Sequence, residues 1–154
     1  MSTELKAIAV TYHSDILGEE VTETLWALPV EGQEDIYQVN NIPYYGAEFS
    51  ADDFVYAKWN EELQTLEYTG VAEHSGNSTV MVLLTKKAPH VDELTAAVRE
   101  LGGETETLNE QFFVVNILHD TNYFPIFSYL AAMEKDKMIQ FAEPVISKKH
   151  RDEK

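Results

Sequence analysis

Hydrophobic and polar residues alternate in short stretches along the first half of the chain, which is the pattern of β-strands with one buried side. Turn-forming residues such as Gly32 separate these stretches, so we expect two hairpins. The strands predicted in this way cover residues 6–12, 20–29, 36–39, 53–59 and 63–71. Many short strands at close spacing favour a small barrel or a curled sheet, which we place in residues 1–74.

The second half has a different rhythm, in which apolar strands alternate with apolar stripes of helical period. We predict strands at residues 78–85, 104–108, 111–118 and 138–146, and helices at 89–101 and from about 121 to 137. Gly102 favours the end of the first helix, and Asp120 or Thr121 is expected to cap the second. The order β-α-β-β-α-β is that of ferredoxin-like domains, and we assign it to residues 78–147.

The two halves together predict an α+β protein, with a β-rich, barrel-like N-terminal half followed by a ferredoxin-like βαββαβ half. We expect the boundary between them near residues 73–77, where glutamate, histidine, serine, glycine and asparagine follow one another. Residues 148–154 are predicted to be a disordered tail, because chain ends are often poorly ordered.

Charge is unevenly distributed along the chain. The formal net charge is −16, and residues 1–70 alone carry −12 because their only bases are Lys6 and Lys58. Self-repulsion of this size lowers stability, so a cationic partner is one reason to retain it, and solubility is the other. The same charge argues against nucleic acid and anionic membranes as partners, since a protein neutralises their phosphates with basic residues.

Composition sets further limits on function. The chain has no cysteine, which excludes disulfides, thiolate nucleophiles and cysteine-ligated metal sites. Hydrophobic residues make up 44% of the sequence, which is enough for a packed core. No apolar run reaches the roughly 20 residues that span a bilayer, and the N-terminus lacks the pattern of a signal peptide, so we expect a soluble cytoplasmic protein.

Candidate catalytic residues are few. The five histidines have no metal-binding spacing, and His119-Asp120 is interpreted as a helix entry, with an enzyme that uses these two residues as a further hypothesis. Neighbouring acids such as Asp52 and Asp53 point to opposite faces of a strand, so they do not converge for acid–base chemistry. We therefore predict no enzyme activity, no metal and no cofactor. The small polar residues 74–79 fit a linker turn, with a small-ligand cradle as the alternative.

Several stretches are similar to a bacterial family. They are Thr24-Leu25-Trp26-Ala27, the run from Tyr37 to Tyr45 with its Asn-Ile-Pro-aromatic motif, and Ser75-Gly76-Asn77-Ser78-Thr79. These stretches resemble the "domain of unknown function 4265" family, whose length also suits the βαββαβ half. The resemblance brings no catalytic residues to this chain. It implies a small, soluble bacterial protein, similar to the immunity proteins that are encoded beside polymorphic toxins.

The leading hypothesis combines the charge with this resemblance. It is an immunity protein that neutralises a cognate polymorphic or Rhs-type toxin domain by occluding its basic active site. Such a toxin would act on nucleic acid or nucleotides, for example as a nuclease or an ADP-ribosyltransferase. A small-molecule-binding regulatory module is the alternative. The residues expected to bind the cationic partner are acids at turns and aromatic anchors: Glu34, Asp35, Tyr44, Tyr45, Glu48, Asp52, Asp53, Trp59, Glu61 and Glu62.

Overall fold

A computed structural model describes residues 4–15 and 17–154, and the chain divides into two compact units. The first unit ends at Ser75 and the second begins at Gly76. The first is a closed barrel of five strands, and the second is a four-stranded sheet with helices, so the predicted α+β class is confirmed. The strands begin and end within two residues of their predicted positions.

The five barrel strands follow one another around the barrel in chain order. They are β1 (Lys6–Ser14), β2 (Glu19–Pro29), β3 (Ile36–Val39), β4 (Phe54–Asn60) and β5 (Thr65–Glu73). Each strand runs antiparallel to the next, and because their number is odd, the closing pair of β1 and β5 is parallel. That closing pair is short, with Ile8 opposite Leu66 and Ala9 opposite Glu67.

The interior of the barrel is filled partly by a residue that no strand supplies. Phe49, in the connection between β3 and β4, is buried, and the centre of its ring lies 5.1 Å from that of Tyr68. Alternate residues of a strand point to opposite sides, and β4 buries only a valine and an alanine. Because Phe49 occupies the interior, the larger residues Phe54 and Tyr56 of β4 lie on the outer face.

The second unit contains a sheet and three helices. Its elements are β6 (Ser78–Leu84), α1 (Val91–Glu100), β7 (Glu104–Asn109), β8 (Phe112–Ile117), α2 (Phe124–Lys135), β9 (Ile139–Val145) and α3 (Lys148–Glu153). The strand order in the sheet is β7, β8, β6, β9, and all neighbouring strands are antiparallel. Both β6 and β7 are antiparallel to β8, so the connection through α1 joins two parallel strands and needs a crossover helix.

Helices α1 and α2 contribute their apolar residues to the same core as the sheet. Leu94 of α1 and Leu130 of α2 are fully buried in it. Gly103, just after α1, is also buried, and a Cβ atom there would lie 2.7 Å from Cγ1 of Val98 and 2.9 Å from Cγ1 of Val115. The close packing of helix on sheet at this point therefore requires a residue without a side chain.

The second long helix begins later than predicted. Neither Asp120 nor Thr121 caps it, because α2 starts at Phe124 with Tyr123 at the N-cap position and no side-chain cap. Pro125 lies in the first turn, where its missing N–H costs no helical hydrogen bond. The prediction of a polar cap was wrong because an apolar residue and a proline form this helix start.

The prediction of a disordered tail at residues 148–154 is also wrong. Residues Lys148–Glu153 form α3, and the Ser147 side chain caps it by accepting a hydrogen bond from the backbone N–H of His150 at 3.2 Å. Lysines and acids four residues apart pair along its surface at 2.7 Å. A helix this short is not stable by itself, so burial of the His150 side chain supplies the missing tertiary contact.

Candidate functional site

Two hairpin tips project from the same end of the barrel. They are residues 30–35, between β2 and β3, and residues 61–64, between β4 and β5. Ile36 lies opposite Tyr56, and the backbone N–H of Ala57 donates to the carbonyl of Asp35 at 3.0 Å, so β4 continues past the start of β3 beside the first tip. We name these two tips, together with Trp59, the hairpin end.

Half of the predicted partner-binding residues lie at the hairpin end: Glu34, Asp35, Trp59, Glu61 and Glu62. All five are exposed, and Trp59 keeps 53% of its surface accessible. Asp35 has a φ of 64°, a left-handed turn conformation that aspartate tolerates. In the part of the chain that the structure describes, no lysine or arginine nitrogen lies within 4.0 Å of these four carboxylates. The hairpin end therefore presents negative charge that its own lysines and arginines do not pair.

The other half lie at the opposite end of the barrel, in the connection between β3 and β4: Tyr44, Tyr45, Glu48, Asp52 and Asp53. Tyr44 and Tyr45 are half-buried, and their rings meet edge to face with centres 6.1 Å apart. Glu48 and Asp52 are exposed, and Glu48 accepts a hydrogen bond of 2.5 Å from the hydroxyl of Tyr68. The ten predicted residues therefore do not form one site, because the structure places them at two ends.

The tyrosine pair is fixed by a partly buried carboxylate. Glu23 accepts a hydrogen bond of 2.5 Å from the hydroxyl of Tyr12 and one of 3.3 Å from the backbone N–H of Tyr44. Burial raises the pKa of Glu23 above its usual range, although these hydrogen bonds oppose the change. The Ser14 hydroxyl donates to the carbonyl of Tyr45 at 2.6 Å. The connection is thus held against β1 and β2, and its two tyrosines remain half-exposed.

Asp53 is not on the surface, which corrects its place among the partner-binding residues. Its carboxylate is completely buried and accepts four hydrogen bonds. One oxygen accepts from the N–H of Ser50 and from Nδ1 of His74, both at 2.9 Å. The other accepts from the N–H of Ser75 at 2.8 Å and from its hydroxyl at 2.7 Å. Asp53 therefore joins the end of β5 to the connection before β4, and it is not available to a partner.

Serine, histidine and aspartate meet at this point, but not in the arrangement of a hydrolase triad. In a triad the histidine lies between the aspartate and the serine and accepts the serine proton. Here His74 and Ser75 both donate to Asp53, and the other acceptor of the Ser75 hydroxyl is the carbonyl of Ala51 at 3.1 Å. The hydroxyl proton is directed to these oxygens, so the cluster is built to satisfy a buried carboxylate.

The polar residues after the boundary are used inside the second unit. Asn77 accepts a hydrogen bond of 2.8 Å from the backbone N–H of His119. The hydroxyl of Ser78 lies 2.6 Å from Nδ1 of His150 and accepts from the N–H of Ser147 at 2.9 Å. The side chains of Asn77 and Ser78 are thus engaged inside the second unit.

His150 is completely buried, and its hydrogen bonds define its tautomer. Nε2 lies 3.0 Å from the carbonyl of Leu118 and 3.1 Å from that of Thr121, and carbonyls only accept, so Nε2 carries the proton. Nδ1 then accepts from Ser78. Burial lowers the pKa of His150 below its ordinary value. This histidine fixes α3 in its neutral form and has no access to a substrate.

Two further arrangements bear on chemistry. His119 and Asp120, the residues of the enzyme hypothesis, are both exposed beyond the end of β8. Over residues 4–15 and 17–154, no three side chains of histidine, aspartate or glutamate come together as a metal ion would need. A groove of about 350 Å³ lies on the outer face of β3, β4 and β5, and the alternation of residues in these strands does not predict it.

Comparison with known proteins agrees with the motifs found in the sequence. The model of the family described as "Domain of unknown function (DUF4265)" matches residues 23–141. The chain belongs to this family. The matched part of this DUF4265 chain includes both hairpin tips and the connection that carries Asp53. No protein with a curated description matches the chain.

A solved structure has the same fold as this DUF4265 chain. It is the crystal structure of a hypothetical protein from Neisseria gonorrhoeae, with a TM-score of 0.79 and 18% sequence identity. The superposition covers 96% of this chain and 99% of the other. Because the identity is low, this likeness concerns the fold alone. No helix in the described part of the DUF4265 chain is long and apolar enough to cross a membrane.

Proposed function

We propose that this DUF4265 protein is an immunity protein that binds a cognate bacterial toxin domain and covers its basic active site. The partner is a polymorphic or Rhs-type toxin that acts on nucleic acid or nucleotides. The observation that carries the proposal is the hairpin end, where four exposed carboxylates lie at the same end of the barrel as the exposed Trp59. The chain's own lysines and arginines do not pair these carboxylates within the described residues.

Like charges placed side by side lower the stability of a fold, so their concentration needs a compensating role. A basic cleft supplies it, since clustered carboxylates accelerate the encounter with a cationic surface and fix its orientation. Trp59 adds an aromatic anchor of the kind that dominates binding energy at interfaces. Occlusion of an active site needs neither proton transfer nor a cofactor, which agrees with the internal use of Asp53, His74 and Ser75.

We also infer that the second unit is a ferredoxin-like domain. Numbered within this unit, its strands stand in the order 2-3-1-4, all neighbouring strands are antiparallel, and a helix follows the first and the third. This arrangement supports the βαββαβ interpretation. The unit carries less of the negative charge, so we assign partner recognition to the barrel.

The test is a binding measurement with the toxin domain encoded next to this gene. One variant neutralises the hairpin end through Glu34→Gln, Asp35→Asn, Glu61→Gln and Glu62→Gln. A matched control removes the same charge from exposed acids of the second unit through Glu93→Gln, Glu100→Gln, Glu110→Gln and Asp120→Asn. Exposed ion pairs contribute roughly 0.2–1 kcal/mol each, so four of them predict that affinity for the hairpin-end variant falls by about fourfold or more, with a weaker salt dependence.

The control should bind nearly as tightly as the parent protein, because its charges are removed away from the proposed contact. Equal losses in the two variants would mean that only the total charge matters, and the hairpin end would lose its assigned role. Absence of binding to the neighbouring gene product, or the absence of such a gene, would refute the immunity function.

A further inference from the structure

The groove on the outer face of the barrel has an apolar floor and a charged rim. Its floor and rim are formed by Val30, Gln33, Ile36, Phe54, Tyr56, Ala72 and Glu73. Ile36 of β3 lies opposite Tyr56 of β4 in the floor, and Phe54 of β4 lies opposite Glu73 of β5 at the rim. Tyr56 is 43% exposed, so its side chain is accessible from solvent. Ile36, Phe54 and Ala72 are partly buried in the groove, whereas Gln33 and Glu73 are exposed.

Irregular pairing of β4 with β5 shapes the groove. The register shifts between Phe54 and Val55 and again between Tyr56 and Ala57, as at β-bulges. Bulges bend a strand and re-aim its side chains, and they are frequent beside binding sites. Gly70, opposite Tyr56, leaves the space above its Cα open. Tyr56 therefore stands beside an open position, and 43% of its surface is accessible.

Charge around the groove selects the ligand. Glu73 is exposed on the rim, and no lysine or arginine of the described residues lies within 4.0 Å of it. The tip that contributes Val30 and Gln33 also carries Glu34 and Asp35 of the hairpin end. Anionic ligands such as nucleotides and nucleic acid would be repelled. A cation with an apolar stem and a flat head is the occupant that these surfaces complement.

We infer that this groove receives an arginine side chain of the basic partner. The guanidinium pairs with Glu73, for which its fork of donors is suited, and its plane stacks on Tyr56. The aliphatic stem lies over Ile36 and Phe54. A volume of about 350 Å³ is at the low end of ligand pockets and accommodates one side chain. The identity of the partner rests on the proposed function, and the groove continues the surface assigned to it.

The probe is N-acetyl-arginine amide, titrated into the isotope-labelled full chain and followed by amide chemical shifts. N-acetyl-lysine amide tests the flat head, and N-acetyl-citrulline amide tests the charge at almost unchanged shape. We expect arginine to shift the amides of Ile36, Tyr56 and Glu73, lysine to bind several-fold more weakly, and citrulline to leave them unmoved. Equal binding of lysine and arginine, or shifts confined to the hairpin end, would overturn the inference.

Variants separate the two contacts. Glu73→Gln should weaken arginine amide binding by about fivefold, and Tyr56→Ala by about two- to fivefold. The controls are Glu20→Gln, an exposed carboxylate on β2, a strand that contributes no lining residue to the groove, and Phe124→Ala, an exposed aromatic residue of the second unit. Neither control should change the titration. Groove amides that move with protein concentration alone would indicate a second copy as the occupant and would refute the arginine assignment.

The outcome is distinguishable from that of the proposed function. If toxin binding is lost in the hairpin-end variant but retained in Glu73→Gln and Tyr56→Ala, the immunity function stands and the arginine site falls. If arginine amide binds in the groove while no toxin binds, the arginine site stands and the immunity function falls.

Discussion

Replacing Asp53 with asparagine probes the cluster that joins the end of β5 to the barrel. The buried carboxylate accepts two hydrogen bonds on each oxygen. An asparagine has a single acceptor oxygen, and its NH₂ group would replace one of the two oxygens. If the NH₂ faces His74, the imidazole can change tautomer and accept from it, but the N–H of Ser50 then points at a donor.

The magnitude follows from this conflict. Hydrogen bonds to a charged group contribute about 1.5–3 kcal/mol, and a buried donor without a partner costs about 1–3 kcal/mol. One orphaned donor and three bonds weakened by loss of charge predict a decrease of about 2–4 kcal/mol in the free energy of unfolding of the barrel. If the free energy of unfolding falls by about 2 kcal/mol per molar urea, the unfolding midpoint should decrease by roughly 1–2 M.

Fluorescence isolates the barrel for this measurement. The chain has two tryptophans, Trp26 and Trp59, and both belong to the first unit. The control is Asp35→Asn, which makes the same chemical change at an exposed residue whose φ of 64° asparagine also adopts. Its free energy of unfolding should stay within about 0.5 kcal/mol of that of the parent protein. If Asp53→Asn is no more destabilising than this control, the hydrogen-bond account of the cluster is refuted.

Two further predictions concern the second unit, whose helices give the far-ultraviolet helical signal. Because burial lowers the pKa of His150 in the folded state, the unfolded state binds a proton more readily. The stability that neutral His150 contributes is therefore present above about pH 6.5 and is lost as the pH falls. His150→Gln should remove this dependence of the free energy of unfolding on pH between about pH 7.5 and 5.5. An unchanged slope in that variant would contradict the assignment. Gly103→Ala should lower the free energy of unfolding of the second unit by about 1–3 kcal/mol because its Cβ meets Val98 and Val115. Gly70→Ala, at an open position of the barrel and followed by tryptophan fluorescence, should leave the stability of the first unit nearly unchanged. Similar losses in the two variants would show that the packing at Gly103 is not limiting.

The sequence predicts the strands well where the alternation of apolar and polar residues reflects only the inner and outer faces of the strand. β3 begins and ends at the predicted residues, since each of its side chains faces either the core or the outside. In β4 the alternation is present, but its larger residues Phe54 and Tyr56 face outward. The reason is Phe49, a residue from a connection that fills the interior from elsewhere in the chain. A local pattern does not contain that contact, so the groove could not be predicted.

The burial of neighbouring acidic residues also cannot be predicted from the local sequence. Asp52 and Asp53 are neighbours with the same side chain, yet one is exposed and the other is completely buried. The difference arises because His74 and Ser75 donate hydrogen bonds to Asp53, and these two residues follow β5, about 20 residues later in the sequence. The helix α3 was missed for the same reason, because its stability depends on the fit of His150 against Leu118 and Thr121 rather than on its own polar sequence.

The parallel closing pair of β1 and β5 has a consequence for folding during synthesis. During synthesis β1 leaves the ribosome first, and the hairpins of β2 with β3 and of β4 with β5 form from residues close in the chain. The partner of Ile8 is Leu66, so β1 keeps one edge unpaired until the last barrel strand has emerged. A strand edge left open in this way is a site for pairing with other chains. The nascent barrel is thus most exposed to misassembly just before its final strand appears.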